Sequence, residues 1–95
     1  MLSLKFEWDK DKAESNRRKH GVTYDQAVTA FADLFSVELI DERQDYGEER
    51  VNLLGMCLGM LLIVTYTERD DRIRIISARK ANGNERDNYF RENSR

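Results

Sequence analysis

Apolar side chains alternate with polar ones in two stretches of this chain and run together in a third. Leu4, Phe6 and Trp8 alternate with Lys5 and Glu7, and Phe35, Val37 and Leu39 alternate with Ser36, Glu38 and Ile40. Both patterns predict half-buried strands. Met60 to Thr67 is apolar on both faces, as expected of a strand covered on both sides. Arg72 to Arg79 places β-branched isoleucines and arginines on one ribbon, and Asp70 and Asp71 supply turn chemistry before it. Arg50 to Met56 reads as a further strand, closed by a turn over Cys57 to Gly59.

Helix signals fill the remainder. Asp9 is placed as an N-cap with Asp11 in the first turn, and the helix should run to about Lys19 or His20, where Gly21 offers a left-handed cap. Arg17, Arg18, Lys19 and His20 crowd its last turn, where the helix dipole favours cations. Few apolar residues lie here, so this helix packs weakly or touches a partner. Thr23 and Gln26 form a capping box, with Val22 and Ala27 as its hydrophobic staple. The second helix should reach about Ala32 and turn Ala27, Val28 and Phe31 inward. Asp41 to Glu49 is a charged loop. Asn82 or Asn84 caps a last helix, from about Asn84 to Glu92, in which Tyr89 and Phe90 are the only large apolar groups. The order β-α-α-β-β-β-β-α predicts an α+β fold with a mainly antiparallel sheet, helices covering one face and the other face or its edge left for arginines.

Length and composition narrow the classes. At 95 residues without proline, the chain is expected to be a single domain over residues 1–95. The longest apolar run, Leu53 to Tyr66, is broken by Gly55 and Gly59 and is a hairpin rather than a membrane span. MLSLKFEWDK lacks the long apolar region of a signal peptide, so a cytoplasmic protein is expected. Cys57 is the only cysteine, which excludes an intrachain disulfide or a cysteine zinc site. The net charge of −2 divides unevenly: +2 over residues 1–20, −7 over 21–68 and +3 over 69–95. If the two basic ends meet in space, they make a positive patch on an acidic background.

Several residues could carry chemistry, each with a plainer reading beside it. His20 is a general acid or base, or it satisfies the last helical carbonyls beside Gly21. Arg72, Arg74 and Arg79 could clamp a phosphate, because the guanidinium fork suits its oxygens. Alternation sets Arg72 and Arg74 on one face and Ser77 and Arg79 on the other, so they converge only if the strand bulges near Ile75 and Ile76. Otherwise they are edge charges or ion-pair partners of Glu68, Asp70 and Asp71. Tyr89 is a proton donor with a phenol pKa lowered by guanidinium, or the core anchor of its helix. Trp8 stacks on a base or belongs to a core or protein interface. Glu48 and Glu49 offer a base or are simply solvated. No HExxH, P-loop or GxGxxG pattern occurs.

The segments Phe6 to Asp9, Lys19 to Val22, Gly47 to Arg50, Tyr66 to Arg69 and Arg72 to Arg79, in that order and spacing, resemble the BrnT family, small toxins of bacterial type II toxin–antitoxin pairs. The resemblance spans Phe6 to about Tyr89, and it departs at Met56 to Gly59, where relatives are more polar. It implies a RelE-like fold and a ribonuclease that stops translation by cutting free or ribosome-bound RNA, and the candidate residues fit a mechanism that needs no cofactor or metal. A BrnA-like antitoxin would neutralise it and provide the DNA contact of an autorepressing complex. Under this resemblance the functional readings of His20, Arg79 and Tyr89 come forward. The expected division of labour has Arg79, with Arg72 or Arg74, on the phosphate, supported by Ser77, Lys80 and Arg50. Tyr89 and His20 would move protons, with Glu49 as an alternative base. Trp8, Arg17 and Arg18 would meet the antitoxin. The rival expectation is a non-catalytic binding subunit, and whether His20, Arg79 and Tyr89 share one open cleft separates the two.

Overall fold

The computed structural model describes residues 5–42 and 47–94. Its elements are β1 (Lys5–Glu7), α1 (Lys10–His20), α2 (Tyr24–Ala30), β2 (Val37–Ile40), β3 (Val51–Cys57), β4 (Met60–Arg69), β5 (Arg72–Lys80) and α3 (Gly83–Glu92). The order is the one the pattern predicts. Leu4 and the 43–46 part of the charged loop lie outside the described residues. The strands form one sheet in the order β1-β5-β4-β3-β2, antiparallel except for the β1–β5 pair. That pair joins the N-terminal basic segment to the C-terminal one, so the two ends do meet.

Local signals set the boundaries. Asp9 accepts from Lys12 N, and Gly21 closes α1 in the left-handed conformation at φ 70°. The Thr23 capping box is formed in both directions. β2 begins two residues later than the alternation suggests. The cause is Asp33, whose side chain accepts from Phe35 N at 2.9 Å and whose carbonyl accepts from Ser36 N at 3.1 Å, which holds that stretch in a turn.

The pleat divides the sheet into two unlike faces. Leu53, Leu62, Val64, Tyr66, Ile73, Ile75 and Ala78 turn toward Val22, Tyr24, Ala27 and Ala30. Edge-to-face contacts from Phe6 to Phe31 (5.0 Å) and Phe31 to Tyr66 (5.1 Å) close this core beside α2. Gly55 lies under the end of α2, where a Cβ would run into the Ala30 carbonyl. On the opposite face Leu54, Leu61 and Ile63 pack with Tyr89. Thus α1 and α2 cover one face, as expected, and α3 crosses to the other and covers only one end of it. The rest of that second face is polar and open. Among the described residues, no helix is long and apolar enough to cross a membrane.

One irregularity decides which side chains reach the open face. Thr65 pairs with Ser77 and Tyr66 with Ile75, so Ile76 is an extra residue in β5. The bulge reverses the alternation once. Arg72 and Arg74 before it, and Ser77 and Arg79 after it, therefore point to the same side.

Candidate functional site

β1 ends opposite Arg74, which leaves the outer edge of β5 without a strand from Ile76 onward. Helix α1 takes the strand's place. The Asn16 side chain accepts from Ala78 N at 3.1 Å and donates to Ala78 O at 2.8 Å and to Val22 O at 3.0 Å. The Tyr24 hydroxyl donates to Ile76 O at 2.7 Å. These bonds satisfy backbone groups that would otherwise be buried unpaired. They also fix α1 at the bulge. His20, one helical turn beyond Asn16, then lies beside Ser77.

A cavity of about 250 Å³ opens there, lined by His20, Asn52, Ile63, Thr65, Ser77, Arg79 and Glu85. Its charged centre is Arg79, whose Nη1 and Nη2 donate to the two carboxylate oxygens of Glu85 at 2.8 and 2.9 Å. Glu85 is the third helical residue of α3, and its Oε1 also accepts from Asn82 N at 2.8 Å, completing the capping box. Asn52 and Thr65 sit directly opposite each other on β3 and β4, with the threonine hydroxyl donating to Asn52 Oδ1 at 2.6 Å. One imidazole, one guanidinium, one carboxylate and a floor of hydroxyl and amide groups thus share a small polar cavity. Such a set can hold an anion and exchange protons with it.

Of the residues singled out in the sequence, His20, Ser77 and Arg79 come together here. Tyr89 does not. It is 5% exposed and packed with Leu54, Leu61 and Ile63, of which Ile63 also lines the cavity. Its hydroxyl donates to Asp33 Oδ2 at 2.6 Å. Burial, with the Asp33 carboxylate adding to it, pushes the phenol up to about 12, the reverse of the lowering expected from guanidinium. Asp33 itself is held below the usual carboxylate range. Burial alone would raise it, but the bonds from Tyr89, Met56 N and Phe35 N outweigh that effect.

Glu49 is exposed and lines a different cavity with Glu48, Val51, Thr67 and Glu68. Its carbonyl accepts from the Thr67 hydroxyl at 2.8 Å. The carboxylate near His20 and Arg79 is therefore Glu85, which the sequence reading missed. Lys80 is exposed and, next to Arg79 on a regular stretch of strand, turns to the opposite side of the sheet. Arg72 and Arg74 are on the right face but farther along β5, where Glu7 stands 3.6 and 3.9 Å from them. Arg50 lies 3.5 Å from Glu48 and shares a small cavity with Arg69 and Arg74. Together Arg50, Arg69, Arg72, Arg74 and Arg79 make a cationic track across the open face, offset by Glu7, Glu48 and Glu85. The acidic total is thus compatible with an anion-binding face, because the positive charge is local.

On the other side of α1, Trp8 is half-buried and meets Tyr24 edge to face at 5.8 Å. Trp8 and Arg17 line a groove of about 400 Å³ with Ala13, Glu14, Thr23 and Tyr24. Arg17 is held by Glu14 at 2.6 Å, and Arg18 stands 3.8 Å from the same carboxylate.

Asn16, Asn52, Thr65 and Asp33 also escaped the sequence reading. Asn16 carries one local signal, a polar side chain four residues ahead of the lone histidine. Glu85 carries another, its spacing of three from Asn82.

The model of one protein family, described as the ribonuclease toxin BrnT of type II toxin–antitoxin systems, matches residues 8–85. The matched stretch starts at Trp8 and ends on Glu85, enclosing the whole cavity lining. No curated protein sequence matches the chain.

Proposed function

The chain belongs to the BrnT family of ribonuclease toxins, and from that premise we propose that it cuts RNA at the cavity beside the β5 bulge, using the substrate's own 2′-hydroxyl as nucleophile. The observation that carries this reading is that His20 and Arg79, from distant parts of the sequence, line one open cavity. RNA holds its nucleophile next to the phosphate it attacks, so the protein need only position, stabilise charge and move protons. Arg79 binds the scissile phosphate through its planar fork and meets the charge that grows on it. His20 protonates the departing 5′-oxygen. Ser77 and Thr65 offer hydroxyls to the phosphate or ribose. Arg74, Arg72, Arg69 and Arg50 carry the strand across the open face.

In this reading cleavage stops translation in the cytoplasm. A BrnA-like antitoxin silences the toxin and supplies the DNA contact of their complex. The groove of Trp8 and Arg17 suits the antitoxin, because a half-buried aromatic ring beside a charged rim is typical of an interface anchor. Of the three residues whose meeting separates an enzyme from a non-catalytic subunit, His20 and Arg79 share the cavity and support the enzyme, while Tyr89 stands apart in the core.

Cleavage of a single-stranded RNA by purified wild-type, His20→Ala and Arg79→Ala proteins tests the reading, with circular dichroism as the folding control. Each variant should lose about 100-fold or more of the rate. The wild-type product should end in a 2′,3′-cyclic phosphate. Undiminished cleavage by both folded variants moves the chemistry elsewhere.

A further inference from the structure

We propose that Glu85 is the general base, taking the proton from the attacking 2′-hydroxyl, and that the arriving phosphate itself switches this base on by drawing Arg79 away. This rests on the RNA-cutting reading and deepens it. A reaction of this kind needs a proton acceptor as well as an acid. In the cavity that holds His20 and Arg79, the lining carboxylate is Glu85. Glu49, the acceptor suggested by the sequence, lines another cavity.

The arrangement around Glu85 serves that role in three ways. Its side chain is 20% exposed and that of Arg79 38%, so both are reachable by a ligand. The bond from Asn82 N at 2.8 Å anchors Oε1 to the first turn of α3, which keeps the carboxylate aimed while its other partner moves. The bidentate pair with Arg79 holds Glu85 as the ionised acceptor form. A carboxylate in that pair is a weak base, because the guanidinium favours its charged state. When a phosphate enters, the guanidinium turns some or all of its N–H groups to the new anion. Glu85 then loses Arg79's share of its positive surroundings and gains a negative neighbour, and both changes raise its proton affinity. The base is thus strengthened only when substrate is present.

The step balances without an added reactant. The 2′-O–H proton passes to Glu85 as the 2′-oxygen lone pair forms the new P–O bond. The P–O5′ bond breaks, its electron pair stays on the 5′-oxygen, and His20 in its protonated form supplies the proton there. The products are a 2′,3′-cyclic phosphate and a 5′-hydroxyl. Nothing is oxidised or reduced.

Two plainer roles compete: Glu85 as a capping residue only, and Glu85 as a competitor that blocks Arg79. Glu85→Gln separates them, since glutamine at the third helical position still completes a capping box. The assay is single-turnover cleavage of a single-stranded RNA by purified full-length protein from pH 4 to 9, with affinity measured on the same RNA carrying 2′-O-methyl groups. For a general base we expect Glu85→Gln to bind the methylated RNA at least as well as wild type. It should cleave about 100-fold or more slowly and lose the rising acidic limb of the wild-type pH profile. His20→Ala, run alongside, should also cleave about 100-fold or more slowly but keep the rising acidic limb. Cleavage within a few-fold of wild type and an unchanged acidic limb reduce Glu85 to a cap. Faster cleavage makes it a competitor. Either outcome overturns the assignment while leaving the RNA-cutting reading intact. If wild type leaves the RNA whole, that reading falls and this one falls with it. Should Glu85→Gln not fold, Glu85→Asp retracts the carboxylate by one methylene, and undiminished cleavage by that variant overturns the assignment equally.

Discussion

Asn16 is bonded to Ala78 as a neighbouring strand would be: its side-chain amide both accepts from the Ala78 N–H and donates to the Ala78 carbonyl. A single helical residue thereby stands in for β1 along the part of β5 that β1 is too short to reach. The same pair of bonds sets the height of His20 over the bulge. Asn16→Ala leaves the fully buried Ala78 backbone pair without partners. At roughly 1–3 kcal/mol for each buried group left unsatisfied, it should cost about 3 kcal/mol of folding stability in a urea titration. Where the variant still folds, cleavage should fall, because His20 is no longer held.

Tyr89 and Asp33 tie α3 to the turn after α2, and their bond predicts a two-ended pH dependence of stability. The Tyr89 phenol is raised from 10.0 to about 12, so its neutral form is favoured in the folded state. That contribution is complete below pH 10 and disappears as pH rises toward 12. The Asp33 carboxyl is lowered from 3.8. Its contribution is present above the unfolded value and disappears as pH falls through the lower folded one. Tyr89→Phe should remove the hydroxyl's part of the alkaline loss and destabilise the neutral protein by about 1.5–3 kcal/mol, the usual worth of a hydrogen bond to a charged group. RNA cleavage by this variant should match wild type. A large loss of activity in the folded protein would return Tyr89 to the chemistry.

Gly55 permits the end of α2 to lie directly on β3. Gly55→Ala forces the Ala30 carbonyl away, and overpacking of this kind costs about 1–3 kcal/mol. Chemical denaturation should register that loss, with the far-ultraviolet spectrum unchanged.

The arginine track should act on binding rather than on chemistry. For a single strand, every phosphate that the protein no longer neutralises reduces the salt dependence of log K by about 0.7. Arg72→Ala and Arg74→Ala should therefore each weaken RNA affinity and flatten the salt slope by up to that amount, with the single-turnover cleavage rate at saturation little changed. Equal slopes in wild type and both variants would remove the track from the RNA path.

Wherever a decision depended on near neighbours, the chain could be read directly. Gly21 after a run of four basic residues, the Thr23–Gln26 box and the Asn82 cap each marked a helix end within a few residues. Alternation marked the first two strands, and the run of apolar residues from Met60 to Thr67 marked the central one. Alternation also framed the question of the arginines correctly, since on its own it separates Arg74 from Arg79 and only a bulge reunites them.

Elsewhere the outcome turned on distance. Whether Ile76 would be the extra residue depends on β4 opposite it. Whether Glu49 or Glu85 would stand beside Arg79 depends on which face α3 crosses to, and nothing between Lys80 and Gly83 states that. Tyr89 carried two readings, proton donor and core anchor of its helix, and packing with Leu54, Leu61 and Ile63 makes it the anchor. Capping, turn and alternation signals act within about one helical turn of the residue that carries them, so they survive in the sequence alone. The meeting of His20, Arg79 and Glu85 is fixed by burial of apolar faces and by the short reach of β1, quantities that exist only once the sheet has closed.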